Sequence, residues 1–127
     1  MIAVTPDLIT ALALDPQTVR DRAIGHPIDR NGARTVVFLV SGTIETGAFL
    51  LTLQDSDDGL VWADVPWLDV PTATSQPATL AAPGTCLVTT RYWGTRRFVR
   101  LVLEPRDDSA RGVVGGIALK LQNRTVA

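Results

Sequence analysis

Three runs decide the fold class: Thr35-Val36-Val37-Phe38-Leu39-Val40, Ala48-Phe49-Leu50-Leu51-Thr52-Leu53-Gln54 and Leu60-Val61-Trp62-Ala63-Asp64-Val65. The first is a continuous β-branched and aromatic run, which suits a strand buried on both sides. In the second, Phe49, Leu51 and Leu53 fall on one face of an extended chain. Asp55-Ser56-Asp57-Asp58-Gly59 separates it from the third run, with Gly59 placed to take positive φ. Strand, five-residue turn and strand make a β-hairpin.

Working outward, the same pattern continues toward the C-terminus. Residues 66–84 are rich in Pro, Thr, Ser and Ala and read as the longest loop. Thr85 to Thr90 and Arg96 to Leu103 read as two more strands, joined by Arg91-Tyr92-Trp93-Gly94-Thr95. After a polar turn, Val113, Gly115, Ile117, Leu119 and Leu121 alternate with Val114, Gly116, Ala118, Lys120 and Gln122. That two-residue period is the mark of a strand. Turns spaced by roughly ten residues predict an all-β domain. The expected architecture is an antiparallel β-sandwich, jelly-roll-like, or a small barrel.

Toward the N-terminus the regularity fades. Residues 1–33 read as an extended arm of the same domain, and residues 34–127 as the sandwich proper. Thr5-Pro6-Asp7 could cap and open a helix, with Leu8, Ile9 and Leu12 on one face. Asp15-Pro16 would end it, because the residue before proline is pushed out of helical geometry. One helical turn or an edge strand is the expectation, and in an assembly such an arm can cross to a neighbour.

Composition narrows the function. The chain has 127 residues, 46% hydrophobic and 20% charged, with a net charge of −1. That is enough apolar material for a packed core. A nucleic-acid binder needs a basic stripe, which a near-neutral chain argues against. No membrane module is expected either, since no run approaches the ~18 apolar residues that span a bilayer. The start MIAVTPDLITAL lacks a basic opening and Asp7 interrupts it, so no secretion leader is expected. A mean hydropathy of +0.18 is high for a small monomer and points to apolar surface covered by a partner.

Candidate chemistry is sparse. His26, the only histidine, sits between Gly25 and Pro27, with Asp29 close in sequence. A general base needs an oriented partner and a nucleophile, so a solvated turn histidine is the simpler reading. Cys86 is a single cysteine inside an apolar pattern and reads as a small buried hydrophobe. Asp55, Asp57 and Asp58 fail the EF-hand test, since the fifth and twelfth positions would be Gly59 and Pro66. They read as turn residues, so no metal and no cofactor is expected.

The aromatics and arginines carry more. Trp62 has strand neighbours and reads as core. Trp67, Tyr92 and Trp93 lie in or beside loops, where a subunit interface and sugar stacking compete. Arg96, Arg97 and Arg100 share a strand. Ion pairs across strands or to a partner explain them more simply than single-stranded nucleic acid.

Three segments carry a resemblance: Ile28-Asp29 into Thr35-Val36-Val37-Phe38; Leu53 to Gly59 with Trp62-Ala63-Asp64-Val65; and Tyr92-Trp93-Gly94-Thr95-Arg96-Arg97-Phe98-Val99-Arg100. With the closing Gly115-Gly116-Ile117-Ala118, they resemble small virion structural proteins of tailed bacteriophages and prophages. The resemblance covers roughly residues 10–122. It implies a multicopy or homo-oligomeric virion part, made in the host bacterial cytoplasm, that decorates or cements the head or builds a spike or collar. Capsid, neck or collar subunits would be its partners, with no active site. Trp67, Tyr92, Trp93 and the arm would pack on the partner, and Arg96, Arg97 and Arg100 would anchor its acidic surface. The competing expectation is a carbohydrate- or receptor-binding sandwich at a fibre or tail tip.

Overall fold

The computed structural model describes residues 3–30, 32–33, 35–65, 78–81, 84–92 and 94–126. These residues form strands and connections, with no helix among them. In chain order the strands are β1 (Ala3–Val19), β2 (Ala23–Ile24), β3 (Ile28–Asp29), β4 (Thr35–Thr46) and β5 (Ala48–Ser56). They continue with β6 (Ala63–Asp64), β7 (Ala78–Ala81), β8 (Gly84–Tyr92), β9 (Phe98–Pro105) and β10 (Arg111–Val126).

One sheet runs β1-β10-β4-β8. In the other, β2 and β3 share one side of β9, β5 lies on its other side, and β6 and β7 share the far side of β5. Every pairing is antiparallel. The chain crosses between sheets so that first and last strands are neighbours, which is the jelly-roll order of a β-sandwich. Neither sheet closes on itself, so the architecture is a sandwich and not a barrel.

The core lies between the sheets. Val36, Phe38, Val40 and Ile44 of β4 face Phe49, Leu51 and Leu53 of β5 and Val99, Leu101 and Leu103 of β9. Phe49, Leu51 and Leu53 share the inner face, as their spacing predicts. Gly59 takes φ +78, the turn conformation expected of it.

Several expectations are corrected. Thr5-Pro6 opens no helix, and of the two expectations for this segment the edge strand is the one that forms: residues 3–19 pair in a register that runs from Ala3↔Val126 to Val19↔Gly112. β10 offers a full ladder of backbone partners, and an edge strand tolerates proline because its outer side needs no N–H. Asp15-Pro16 therefore interrupts the register without ending the strand. The predicted third strand shrinks to Ala63–Asp64, because the Asp58 carboxylate accepts the N–H groups of Leu60 and Val61 and prolongs the turn. Ala78–Ala81 of the expected long loop is strand β7, paired with β5. Residues 66–77 and 82–83 of that loop lie outside the described residues.

The most consequential correction concerns faces. β4 is not buried on both sides: Val36, Phe38 and Val40 point inward, while Val37 and Leu39 are half-buried on the outer face. In β10 the larger alternating set, Val113, Ile117 and Leu121, is the outward one. The inward set includes Gly112, Val114, Gly116 and Ala118. A Cβ on Gly112 would sit 2.6 Å from the Thr43 carbonyl oxygen, so the chains approach there too closely for any side chain.

Candidate functional site

Two surfaces compete for the role of interface. The first holds the arginines singled out by sequence, on the outer side of the β9 sheet, and it is already engaged within the chain. Arg97 donates from Nε and Nη2 to the Asp29 carboxylate at 3.2 and 3.0 Å. This two-point ion pair raises the guanidinium pKa and ties the bend before β9 to β3. Arg100 donates from Nε and Nη2 to Gln54 Oε1 at 3.0 and 2.8 Å. Gln54 Nε2 in turn donates to Asp64 Oδ1 at 3.0 Å.

Above that network the Arg100 guanidinium lies 4.1 Å from the centre of the Trp62 ring. Trp62 is half-buried on this outer surface, so it is not the core residue its neighbours suggested. The β5–β6 turn ends late and folds the indole back over β9, where a cation covers one of its faces.

Tyr92 is fully buried, which takes its ring out of any contact surface. Its hydroxyl donates to Asp55 Oδ2 at 2.8 Å and accepts the Arg96 backbone N–H at 3.2 Å. Arg96 Nε also lies 3.6 Å from Asp55 Oδ1. Burial, then the bond to Asp55, pushes the Tyr92 phenol up to about 12. Trp67 and Trp93 lie outside the described residues.

The remaining candidates are local. His26 Nε2 lies 3.1 Å from Asp15 Oδ2, and both side chains are about half exposed. Asp58 Oδ1 accepts from Leu60 N, Val61 N and Ser56 Oγ at 2.8 to 3.0 Å. Those backbone bonds hold its carboxyl below the usual range. This is the turn chemistry expected of the acidic loop. Cys86 is partly buried against the core, with Sγ 3.5 Å from the Ala81 carbonyl oxygen.

The second surface is the outer face of the β1-β10-β4-β8 sheet. Directly opposed residues of neighbouring strands share a face, and here the rows are largely apolar. Leu12 of β1 opposes Ile117 of β10, which opposes Leu39 of β4. One row along, Gly115, Ser41 and Leu87 line up across β10, β4 and β8; in the next, Val113, Thr43 and Thr85 do. Leu12, Val113 and Ile117 are 48%, 49% and 41% exposed, and Leu87 at the rim 71%.

Together these rows form an open groove of about 630 Å³ whose lining is mainly apolar. Its polar side chains are Ser41, Thr43 and Thr85, the last two with their hydroxyl oxygens 3.3 Å apart. Such a surface offers burial and shape, with few hydrogen-bonding groups to orient a sugar. Residue-by-residue reading of loop aromatics passed over Leu12, Leu39, Val113 and Ile117. The signal lies in β10, where inward Gly112, Gly116 and Ala118 are small and outward Val113, Ile117 and Leu121 are large.

No protein-family model matches the chain, and no curated protein matches it. Among solved structures, it is similar to a chain from the Bacillus endospore appendages, a family of disulfide-linked pili. The TM-score is 0.42 and the identity 13%, over 99% of this chain and 89% of that one.

Proposed function

We propose that this chain is a non-enzymatic structural subunit of a tailed-phage or phage-derived particle, seated on a capsid, neck or collar subunit. The apolar outer face built by Leu12, Leu39, Val113 and Ile117 carries the reading. An apolar patch that runs across neighbouring strands is what a subunit covers on assembly. Each half-exposed Leu or Ile side chain covered there contributes about 1 kcal/mol. Many copies on a symmetric shell multiply such modest contacts.

The particle address rests on the resemblance carried by residues 28–38, 53–65, 92–100 and 115–118. The arginine surface plays a supporting part in this reading. Arg96, Arg97 and Arg100 hold the β9 sheet in shape through Asp55, Asp29 and Gln54. A partner would have to compete for charges already paired.

The test is the double variant Leu12→Glu with Ile117→Glu. Both side chains are half-exposed in the isolated chain, and the two opposed carboxylates cost up to about 1 kcal/mol, so the variant stays folded with a modestly lower thermal midpoint. Burying unpaired carboxylates at an interface costs several kcal/mol, so occupancy of assembled particles falls by more than about ten-fold. Wild-type occupancy by this folded variant overturns the proposal.

A further inference from the structure

The four-stranded sheet has two edges, and they are built differently. β1 carries Pro6 and Pro16 and two register irregularities, between Leu12 and Leu14 and between Leu14 and Gln17. Prolines and bulges are how edge strands are kept from pairing with another chain. In the other sheet the outermost strands, β2, β3, β6 and β7, are two to four residues long. β8 has none of these protections. It runs nine residues from Gly84 to Tyr92 without proline, and from Gly84 to Thr90 without charge. Among the described residues only β4 pairs with it, so its other side has no ladder partner among them.

The residues of β8 specify what fits there. Its outward side chains read Thr85, Leu87, Thr89, and its inward ones Cys86 and Val88. The segment Thr85-Cys86-Leu87-Val88-Thr89 is therefore nearly the same read in either direction about Leu87. An antiparallel strand of the same sequence, centred there, meets like with like. Leu87 opposes its own copy, Thr85 opposes Thr89, and Cys86 opposes Val88. Apolar pairs and threonine pairs are favourable cross-strand partners. The charge at Arg91 fits this direction as well. Antiparallel pairing separates the two Arg91 residues by eight positions, roughly 27 Å at about 3.4 Å per residue, whereas parallel pairing sets them side by side.

We propose that the outer edge of β8 is a homotypic pairing edge, on which β8 of a second copy lies antiparallel about Leu87 and joins two four-stranded sheets into one. The proposal rests on the reading of this chain as an assembling structural protein, and not on its particle address. It makes the dimer the unit that presents two apolar faces to a larger partner. The two-fold axis passes beside Leu87, the most exposed large hydrophobic side chain among the described strand residues.

Cross-linking of the full-length chain tests the register. In a Cys86→Ser background, Leu87→Cys places two thiols on directly opposed residues, whose Cα atoms lie ~5 Å apart, within disulfide reach. Thr89→Cys in the same background places them about 14 Å apart, beyond the ~7 Å limit. Mild oxidation should give a dimer band at least about ten-fold stronger for the first variant than for the second. Light scattering should show a wild-type dimer that Leu87→Lys converts to monomer. Thr85→Lys should weaken the dimer and Thr85→Lys with Thr89→Glu should restore it.

A wild-type monomer at high micromolar concentration overturns the proposal, as does equal cross-linking at both positions. A dimer broken by Leu12→Glu and indifferent to Leu87→Lys also overturns it, in favour of face-to-face packing. The two readings fail separately. A Leu12→Glu, Ile117→Glu chain that still dimerises and still enters particles sinks the docking face and leaves β8 pairing intact.

Discussion

Tyr92 shows how one residue read as a contact becomes part of the scaffold. Its ring is sealed in the core while its hydroxyl bridges Asp55 on β5 and the backbone of Arg96 beyond β8. Tyr92→Phe keeps the ring and leaves a partly buried Asp55 short of a donor. A buried group deprived of its partner costs about 1–3 kcal/mol, so urea unfolding should show a loss of that size with an unchanged slope. The pH dependence follows from the pKa. The folded phenol, at about 12, lies above its ordinary value of 10.0. The neutral form is the one the fold stabilises, so this contribution is complete below pH 10 and is lost as pH rises through 12. Wild type should lose stability across that window relative to Tyr92→Phe. Parallel curves for the two proteins would contradict the assignment.

At the scale of strands, periodicity was legible and facing was not. The alternation in residues 113–121, the hairpin turn at Gly59 and the inward set Phe49, Leu51 and Leu53 could all be read from spacing. Which side of β10 faces the core could not be read from hydrophobicity, because the outward residues are the larger ones. The deciding term is distance: Gly112 lies against the Thr43 carbonyl and Gly116 against Val40 and Leu101. Gly112→Ala puts a methyl 2.6 Å from a backbone oxygen, which must shift at a cost of about 1–3 kcal/mol. Thermal unfolding should report that loss, and an unchanged midpoint would contradict the close approach. The irregular pattern of the N-terminal segment leaves a helical turn and an edge strand both open, and the edge strand forms. Its partner is β10, roughly a hundred residues away, and no local pattern reveals a ladder of that span. Arg96 and Arg97 meet Asp55 and Asp29 as ion pairs, whereas Arg100 meets the neutral Gln54 and the Trp62 ring, a partnership visible only in three dimensions.

At the scale of the whole molecule, the jelly roll brings four strands together so that one face is a core and the other an uncovered apolar surface. The fold alone does not assign a role, since such sandwiches serve as shell subunits and as sugar binders. The proposed role rests on the mainly apolar groove that Leu12, Leu39, Val113 and Ile117 help to line. Cryo-electron microscopy of the phage or phage-derived particle proposed to contain this chain tests the account most directly. The account predicts repeated copies whose β1-β10-β4-β8 face lies against a capsid, neck or collar subunit, with Leu12 and Ile117 inside the contact. Copies that attach through any other surface, leaving that face open to solvent, would contradict it.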